Sequence, residues 1–357
     1  MDKKLFVVLM AGGVGTRFWP YSRNAKPKQF LDVLGTGKTL IQSTYERFLP
    51  LCPKENIFIV TNEELEGLVR EQLGVDDAQV LVEPMRKNTA PCIAYACYRI
   101  ALQTPDAVVV VSPADHLILN ETGFQKTIVG ATAHAQAQDK LITLGIKPTR
   151  PETGYGYIQY LSGGGTIKKV KTFTEKPALA LAKKFIDSGD FVWNSGIFIW
   201  GVKAIVSALE SHQPEIAEVF EEASSKFYTD QEKRAIRTAY AQSKNISIDY
   251  GVMEKAGNVY VWLGDFAWSD LGSWGSMHEL HKKDNDKNVV EANTMVYDTH
   301  NSIIKGPKDK LIVVQGLDGY LVGEFGNVII VCQKDQEDLF RRFVNDLKAK
   351  PDGNDYL

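Results

Sequence analysis

A short apolar run, Leu5–Met10, breaks abruptly at Ala11-Gly12-Gly13-Val14-Gly15-Thr16-Arg17. Six apolar residues without alternation suit a strand covered on both faces, the usual setting of a parallel sheet. The glycines that follow let backbone N–H groups approach an anion closely, and Thr16 and Arg17 add a hydroxyl and a positive charge. A Walker A loop would close on Gly-Lys-Ser/Thr, which is absent here. A dinucleotide fingerprint fits Gly13 and Gly15, but Phe18 stands at its third glycine. On the glycines alone, a tight turn without any ligand is also open.

The pattern repeats along the chain. Residues 57–61, 80–82, 107–111 and Leu141–Ile146 read as further buried strands. Asn88 is placed to cap a helix reaching about Gln103, with Pro91 tolerated in its first turn. Strands alternating with helices predict an α/β fold, Rossmann-like, with a mainly parallel mixed sheet. Residues 167–173 and 197–201 read as strands, 177–188 as a helix starting at a proline, and 203–242 as helix in two or three pieces. Strand returns at 259–263 and a short helix at 274–282. A charged run from Lys282 to Lys287 suits a linker. Short β segments follow at 294–297, 302–305, Leu311–Gln315, 320–323 and 327–331, punctuated by glycines, and the chain closes on an amphipathic helix near 336–349. The domains expected are 1–284 and a small β-rich unit, 285–357, built like one or two coils of a β-helix.

Composition narrows the classes. Of 357 residues, 44% are apolar and 24% charged, which is ordinary for globular domains and excludes disorder, collagen and a disulfide scaffold. Forty-one basic against 44 acidic residues leave a net charge of −3, without the broad basic footprint of a nucleic-acid binder. No apolar run is long enough to span a bilayer, and Leu5–Met10 is too short for a signal-peptide core. Cys52, Cys92, Cys97 and Cys332 form no CxxC pair and sit in or beside apolar stretches. Free thiols in a reducing cytoplasm are the expectation.

Beyond the loop, Trp19-Pro20-Tyr21-Ser22-Arg23 and Pro27-Lys28-Gln29-Phe30 complete a pattern that resembles the sugar-1-phosphate nucleotidyltransferases. Within them it is most similar to the guanylyltransferases of mannose 1-phosphate. The resemblance continues through Glu83-Pro84, Asn88-Thr89-Ala90-Pro91, Ser112-Pro113-Ala114-Asp115-His116, Glu152-Thr153-Gly154-Tyr155-Gly156-Tyr157 and Phe173-Thr174-Glu175-Lys176-Pro177. It extends through Trp193-Asn194-Ser195-Gly196, Ser247-Ile248-Asp249-Tyr250 and Trp268-Ser269-Asp270-Leu271-Gly272-Ser273-Trp274. Thus residues 5 to about 275 match in order. The C-terminal part more loosely resembles the family's left-handed β-helix. Lys87 and Gly251 depart from the family's Arg and Ala; neither change removes a charge or a metal ligand.

The resemblance implies transfer of GMP from GTP to mannose 1-phosphate, releasing pyrophosphate, with Mg2+ as cofactor. The nucleophile is a phosphate oxygen, anionic already, so no general base is needed. The difficulty is the meeting of anions, which cations and N–H donors relieve. Ala11, Gly12, Gly13, Gly15, Thr16 and Arg17 are implied to hold the triphosphate, and Lys28 to reach the reacting phosphates. Asp115, after a strand, and Asp270, between tryptophans, are implied as the Mg2+ carboxylates. Glu83 is the candidate guanine reader, since one carboxylate accepts from N1–H and N2–H2 whereas adenine offers an acceptor at N1. Asn88, Thr89 and Ser112 complete the nucleotide set. Gly154, Tyr155, Glu175, Lys176, Asn194 and Asp249 form the sugar-phosphate set. Each of these also has an ordinary structural reading: a cap, a turn aspartate, a solvated lysine. His116 suits a structural hydrogen bond better than Mg2+, which prefers oxygen, and Trp193 and Trp262 suit the core. Alternatives are another sugar or nucleotide, a catalytically inactive nucleotide-sugar-binding subunit, and an NAD-dependent oxidoreductase. The last two are disfavoured by the retained Arg17, Lys28, Asp115 and Asp270 and by Phe18, respectively. The β-rich end is expected to self-associate as a homodimer, and neither nucleic acid nor membrane is an expected partner.

Overall fold

Leu5–Met10 forms the strand its apolar run predicts, and every residue of it except Met10 is buried. The computed structural model describes residues 2–357. They divide into two compact units: residues up to Gly12 with Ile41–Trp268, and Gly13–Leu40 with Ser269–Leu357. The chain therefore passes from one unit to the other inside the glycine loop.

The first unit holds a nine-stranded sheet. Its strands are β1 (Leu5–Met10), β2 (Ile57–Asn62), β3 (Val80–Glu83), β4 (Val108–Pro113), β5 (Leu141–Ile146), β6 (Gly156–Tyr160), β7 (Ile167–Glu175), β8 (Phe191–Gly201) and β9 (Val259–Gly264), in the order β3-β2-β1-β4-β8-β5-β9-β7-β6. The sheet is mixed, as expected, but less parallel. The run β3-β2-β1-β4 and the pair β5–β9 are parallel. In contrast, β8 runs antiparallel to β4, β5 and β6, and β7 antiparallel to β9 and β6. The reason lies in the connections. Only six residues separate β6 from β7, enough for a hairpin and too few for the helical crossover that a parallel pair requires. Strand β8 also starts earlier than its apolar run suggests, at Phe191, because Asn194-Ser195-Gly196 interrupts the pattern without ending the strand.

The helices are α1 (Leu40–Phe48), α2 (Glu66–Leu73), α3 (Thr89–Gln103), α4 (Glu121–Ala137), α5 (Leu179–Ser188), α6 (Val202–His212), α7 (Pro214–Ser224), α8 (Glu232–Gln242), α9 (Trp274–Leu280) and α10 (Glu337–Ala349). Helix α5 begins two residues after Pro177, because Lys176 takes a left-handed φ of 48° and Ala178 is still extended. Helix α3 is buried from Ala90 to Ile100, as its all-round apolar sequence predicts, and packs with α6 and α7. Alternate residues of the parallel strands, Phe6, Val8, Val109 and Val111, share that core with Phe220 and Tyr240. Among the described residues no helix is long and apolar enough to cross a membrane. All four cysteines are free, and Cys52, Cys92 and Cys97 are buried.

In the second unit, β10 (Val289–Glu291), β12 (Ile303–Lys305) and β14 (Tyr320–Phe325) pair in parallel, and β15 (Val328–Gln333) adds antiparallel to β14. A separate parallel pair joins β11 (Asn293–Tyr297) to β13 (Leu311–Gln315). Partners sit 14 or 18 positions apart. The segment after the glycine loop is tied to this part of the chain. Trp19 Nε1 donates to Tyr356 O at 2.8 Å, Arg23 Nη1 to Asn327 Oδ1 at 2.7 Å, and the Tyr21 ring lies between Trp274 and Phe325. Glu291 joins His281 and Lys305, and these partners hold its carboxyl down at about 2.

Gly145 shows how tightly the sheet is filled. It lies at the register shift between β5 and β8, and a Cβ there would come within 2.5 Å of Val261 Cγ2 and 2.6 Å of Val192 Cγ2. Gly145→Ala is therefore expected to destabilise the protein by about 1–3 kcal/mol through overpacking. A urea midpoint lowered at unchanged slope would show it; an unchanged midpoint would mean the valines move aside at no cost.

Candidate active site

In the first unit, the parallel strands β1, β3 and β4 end on one edge of the sheet, the edge where open α/β sheets hold ligands. From β1 the chain continues as Ala11 and Gly12. Ala11 N donates to Val60 O at 2.8 Å, and Ala114 N donates to Met10 O at 3.1 Å. A Cβ on Gly12 would lie 3.3 Å from Glu83 Oε2, so the glycine lets the backbone pass against that carboxylate. Glu83 closes β3 and is only 7% exposed. Tyr240 Oη donates to Glu83 Oε1 at 2.9 Å. Burial pushes the Glu83 carboxyl up to about 7, opposed by the Tyr240 hydroxyl and by Arg86.

Asn88 caps α3 as expected: its side chain accepts from Thr89 N, with the backbone at φ 66°. Thr89 Oγ1 accepts from Ile248 N at 2.8 Å, and Ala90 N donates to Ile246 O, so this segment also anchors 246–248. Ser112 is buried, and its hydroxyl donates to Pro113 O at 3.1 Å. Asp115 follows β4. His116 Nε2 lies 3.9 Å from Asp115 Oδ1, while its Nδ1 accepts from Trp268 Nε1 at 3.2 Å.

The sugar-phosphate candidates Glu175, Lys176, Asn194 and Asp249 come together from separate stretches of the sequence. Gly156 pairs with Glu175 across β6 and β7, and a Cβ on it would strike Glu175 Oε2 and sit 3.3 Å from Asn194 Cβ. Lys176 Nζ lies 2.8 Å from Glu175 Oε1; Glu175 is mostly covered and Lys176 mostly exposed. Asn194 Oδ1 accepts from Thr143 Oγ1 at 2.8 Å and from Gly196 N at 3.2 Å. Its Nδ2 donates to Asp249 Oδ1 at 2.9 Å. The amide orientation is thereby fixed from below by a buried threonine. Asp249 is pushed up to about 7 by burial and by the Glu175 carboxylate. Gly154 N donates to Glu152 Oε1, and the Tyr155 ring meets Trp193 and Trp268 edge-on. Trp193 is core, and Trp262 packs across Gly130 of α4.

In the second unit, Gly15 takes a left-handed φ of 59°, and a Cβ there would sit 2.9 Å from Lys28 Cβ. Gln29 Nε2 donates to Gly13 O at 2.8 Å and Ser22 Oγ to Val14 O at 3.0 Å, which shapes the loop. Thr16 and Arg17 begin a short 3-10 turn. Arg17 Nη2 lies 3.6 Å from Asp270 Oδ2. Lys28 is 4% exposed, and its ammonium donates to Asp270 O at 2.6 Å and Leu271 O at 3.2 Å. Arg17, Lys28 and Asp270, far apart in sequence, are therefore gathered here. Chemically these are two cations beside a glycine loop, Arg17 against the Asp270 carboxylate and Lys28 against backbone carbonyls, a set suited to polyphosphate and a hard cation. Among the described residues, no three His, Cys, Asp or Glu side chains cluster closely enough to enclose a metal ion.

Two residues with a part in this geometry carry no sequence signal: Tyr240 and Thr143 look like core in a helix and a strand, and only the tertiary fold reveals what they touch. Gly156 lies inside a matched motif, but only strand pairing shows that it makes room for Glu175.

A nucleotidyl transferase family model matches residues 6–287. The xanthan biosynthesis protein XanB of Xanthomonas campestris pv. campestris (strain B100) is 37% identical over 346 residues, covering 96% of this chain and 73% of that protein. A protein of Escherichia coli named mannose-1-phosphate guanylyltransferase is 34% identical, covering 97% of this chain and 76% of its own length. A crystal structure titled mannose-1-phosphate geranyltransferase, from Thermus thermophilus, superposes with a TM-score of 0.86 at 32% identity, over 97% of this chain and 99% of that one. With its glycine loop, its mixed sheet and these relatives spanning nearly all of it, the chain belongs to the nucleotidyl transferase family.

Proposed function

We propose that the protein is a mannose-1-phosphate guanylyltransferase, which makes GDP-mannose and pyrophosphate from GTP and mannose 1-phosphate by in-line attack of the sugar phosphate on the α-phosphorus. The observation that carries the sugar half is the cluster in which Glu175, Lys176, Asn194 and Asp249 meet over Gly156. Carboxylates and an amide there suit the hydroxyls of a hexose, and the Lys176 ammonium suits its phosphate. Relatives of that name, similar over nearly the full chain, support the same reading.

In this reading Ala11, Gly12, Gly13, Gly15, Thr16 and Arg17 bind the triphosphate, and Asn88, Thr89 and Ser112 line the nucleoside side. Glu83 reads the base. Gly154 and Tyr155 offer backbone and ring to the sugar. Arg17 and Lys28 stabilise charge as it moves to the leaving pyrophosphate. Asp115 and Asp270 are oxygen donors of the kind Mg2+ takes, and the imidazole beside Asp115 is already engaged with Trp268. When bound, Mg2+ supplies charge neutralisation on phosphate oxygens. Residues 1–284 would be the catalytic portion and 285–357 a left-handed β-helix. The site of action is the cytoplasm, in keeping with the free buried thiols.

The short parallel strands near the C-terminus also support a homodimer. Met295, Tyr297, Leu311 and Val313 are all more than 40% exposed and lie side by side on β11 and β13. A contiguous apolar strip of this kind marks a contact surface, and a second copy is the occupant proposed.

Three outcomes are expected. Asp115→Asn and Asp270→Asn each lower kcat by on the order of 10²–10³ at limiting Mg2+, measured by pyrophosphate release; full activity of either removes that residue from the metal set. Lys176→Ala raises the KM for mannose 1-phosphate about tenfold or more and leaves the preference for GTP over ATP intact; a changed nucleotide preference would place the lysine elsewhere. Sedimentation of the full chain at micromolar concentration gives a dimer, and Val313→Lys shifts it to monomer; a wild-type monomer refutes the contact.

A further inference from the structure

Glu83 is held by a partner that the sequence does not announce. Tyr240 projects from α8, 157 positions away, and its hydroxyl donates to Glu83 Oε1 at 2.9 Å. Tyr240 is fully buried, packed edge-on against Tyr95 and Phe220, so its ring has no room to swing. Glu83 Oε2 receives no hydrogen bond among the described residues and lies beside Gly12, where the glycine loop leaves β1. One carboxylate oxygen is thus occupied by the protein, and the other faces the backbone from which the nucleotide loop begins.

We propose that Tyr240 is a positioning residue for base selection: by donating to Oε1 it aims the Glu83 carboxylate so that Oε2 accepts an N–H of guanine and repels the N1 acceptor of adenine. This rests on the assignment of Glu83 to the base made above.

The charge environment fits. The groups facing Glu83 are the Tyr240 hydroxyl, the Arg86 guanidinium and the Cys92 thiol. Arg86 is half exposed and also engaged with Glu64, so its field at Glu83 is screened. Cys92 and Tyr240 are both pushed well up by burial, stay neutral, and add no positive charge. Beyond Tyr240, Tyr95 donates to Glu232 and is turned away. The Tyr240 hydroxyl is therefore the main group opposing burial, which by itself drives the Glu83 carboxyl up. The ionised carboxylate presents acceptors alone, which suits guanine N–H groups and repels adenine N1. A protonated carboxyl also presents an O–H donor, which adenine N1 accepts, so the discrimination is lost.

Above the Glu83 titration the carboxylate is charged and GTP is preferred; as pH falls through about 7 the preference declines. Removing the Tyr240 hydroxyl takes away a bond to the charged form and moves that decline to higher pH.

The test is kcat/KM for GTP and for ATP, each with mannose 1-phosphate and Mg2+, in the wild type, Tyr240→Phe and Glu83→Gln, over about pH 6 to 9. In Tyr240→Phe the GTP-to-ATP ratio is expected to fall about tenfold near neutral pH, with the midpoint of its decline raised by about one pH unit and the ratio recovering at the alkaline end. In Glu83→Gln the ratio should be low and flat with pH. If Tyr240→Phe slows both nucleotides equally with an unmoved midpoint while Glu83→Gln abolishes the preference, Tyr240 is structural and the inference fails, with the role of Glu83 intact. If Glu83→Gln keeps the preference, the base assignment itself fails. Difluorotyrosine at position 240 covers the case in which Tyr240→Phe does not fold. Its more acidic hydroxyl donates more strongly and should move the midpoint down, and an unmoved midpoint overturns the inference.

Discussion

Parallel strands β3-β2-β1-β4 end together, and the first unit is organised around that fact. Parallel pairing forces consecutive strands to start at one edge and finish at the other, so the residues that follow each strand collect on one side of the sheet. Ala11 and Gly12, Glu83, and Ser112 with Asp115 share that edge for this reason alone, although the chain runs through β2, β3 and α3 between them. The strands cannot shift to improve any one of these side chains. They are buried on both faces and locked in register by valines and isoleucines. Chemistry at the edge is then adjusted by what comes up from beneath, such as Tyr240 under Glu83 and Thr143 under Asn194.

The antiparallel half of the sheet does a different job. Strands β6, β7 and β8 converge so that Gly156, Glu175 and Asn194 touch, and absence of a side chain at Gly156 is what allows it. The result is a patch rich in carboxylate, with burial and then the Glu175 carboxylate raising both Asp249 and Glu254, opposed by Lys176 at Asp249 and by Lys255 at Glu254. Hydroxyl donors or a cation would relieve such crowding.

The loop segment 13–40 carries two kinds of residue that look alike in sequence. Arg17 and Lys28 gather at Asp270, whereas Trp19, Tyr21 and Arg23, in the same stretch of aromatic and basic residues, fasten to 325–327 and 356. Arginine at position 17 and arginine at position 23 differ only in what the fold brings to them. One meets a carboxylate, the other a backbone carbonyl and an asparagine.

The sequence by itself determined the elements with a strong local signature. Continuous apolar runs specified β1, β2, β4 and β5, and an asparagine cap with an all-round apolar stretch specified α3. Most of the residues that each unit gathers were named through the resemblance of their motifs to a known family, since residue type and spacing alone left a cap, a turn or a solvated side chain equally open. Tertiary structure alone decided the antiparallel insertion of β8 and its early start at Phe191, since a polar Asn-Ser-Gly inside a strand reads as a break when nothing shows the partners on either side. It alone decided that the carboxyl of Glu83 is covered, that Lys28 is buried against backbone carbonyls, and that Tyr240 and Thr143 aim their neighbours. Those are properties of pairs far apart in the chain. Local propensity is blind to them because the energy that sets them, burial with one available partner, exists only once the chain has folded.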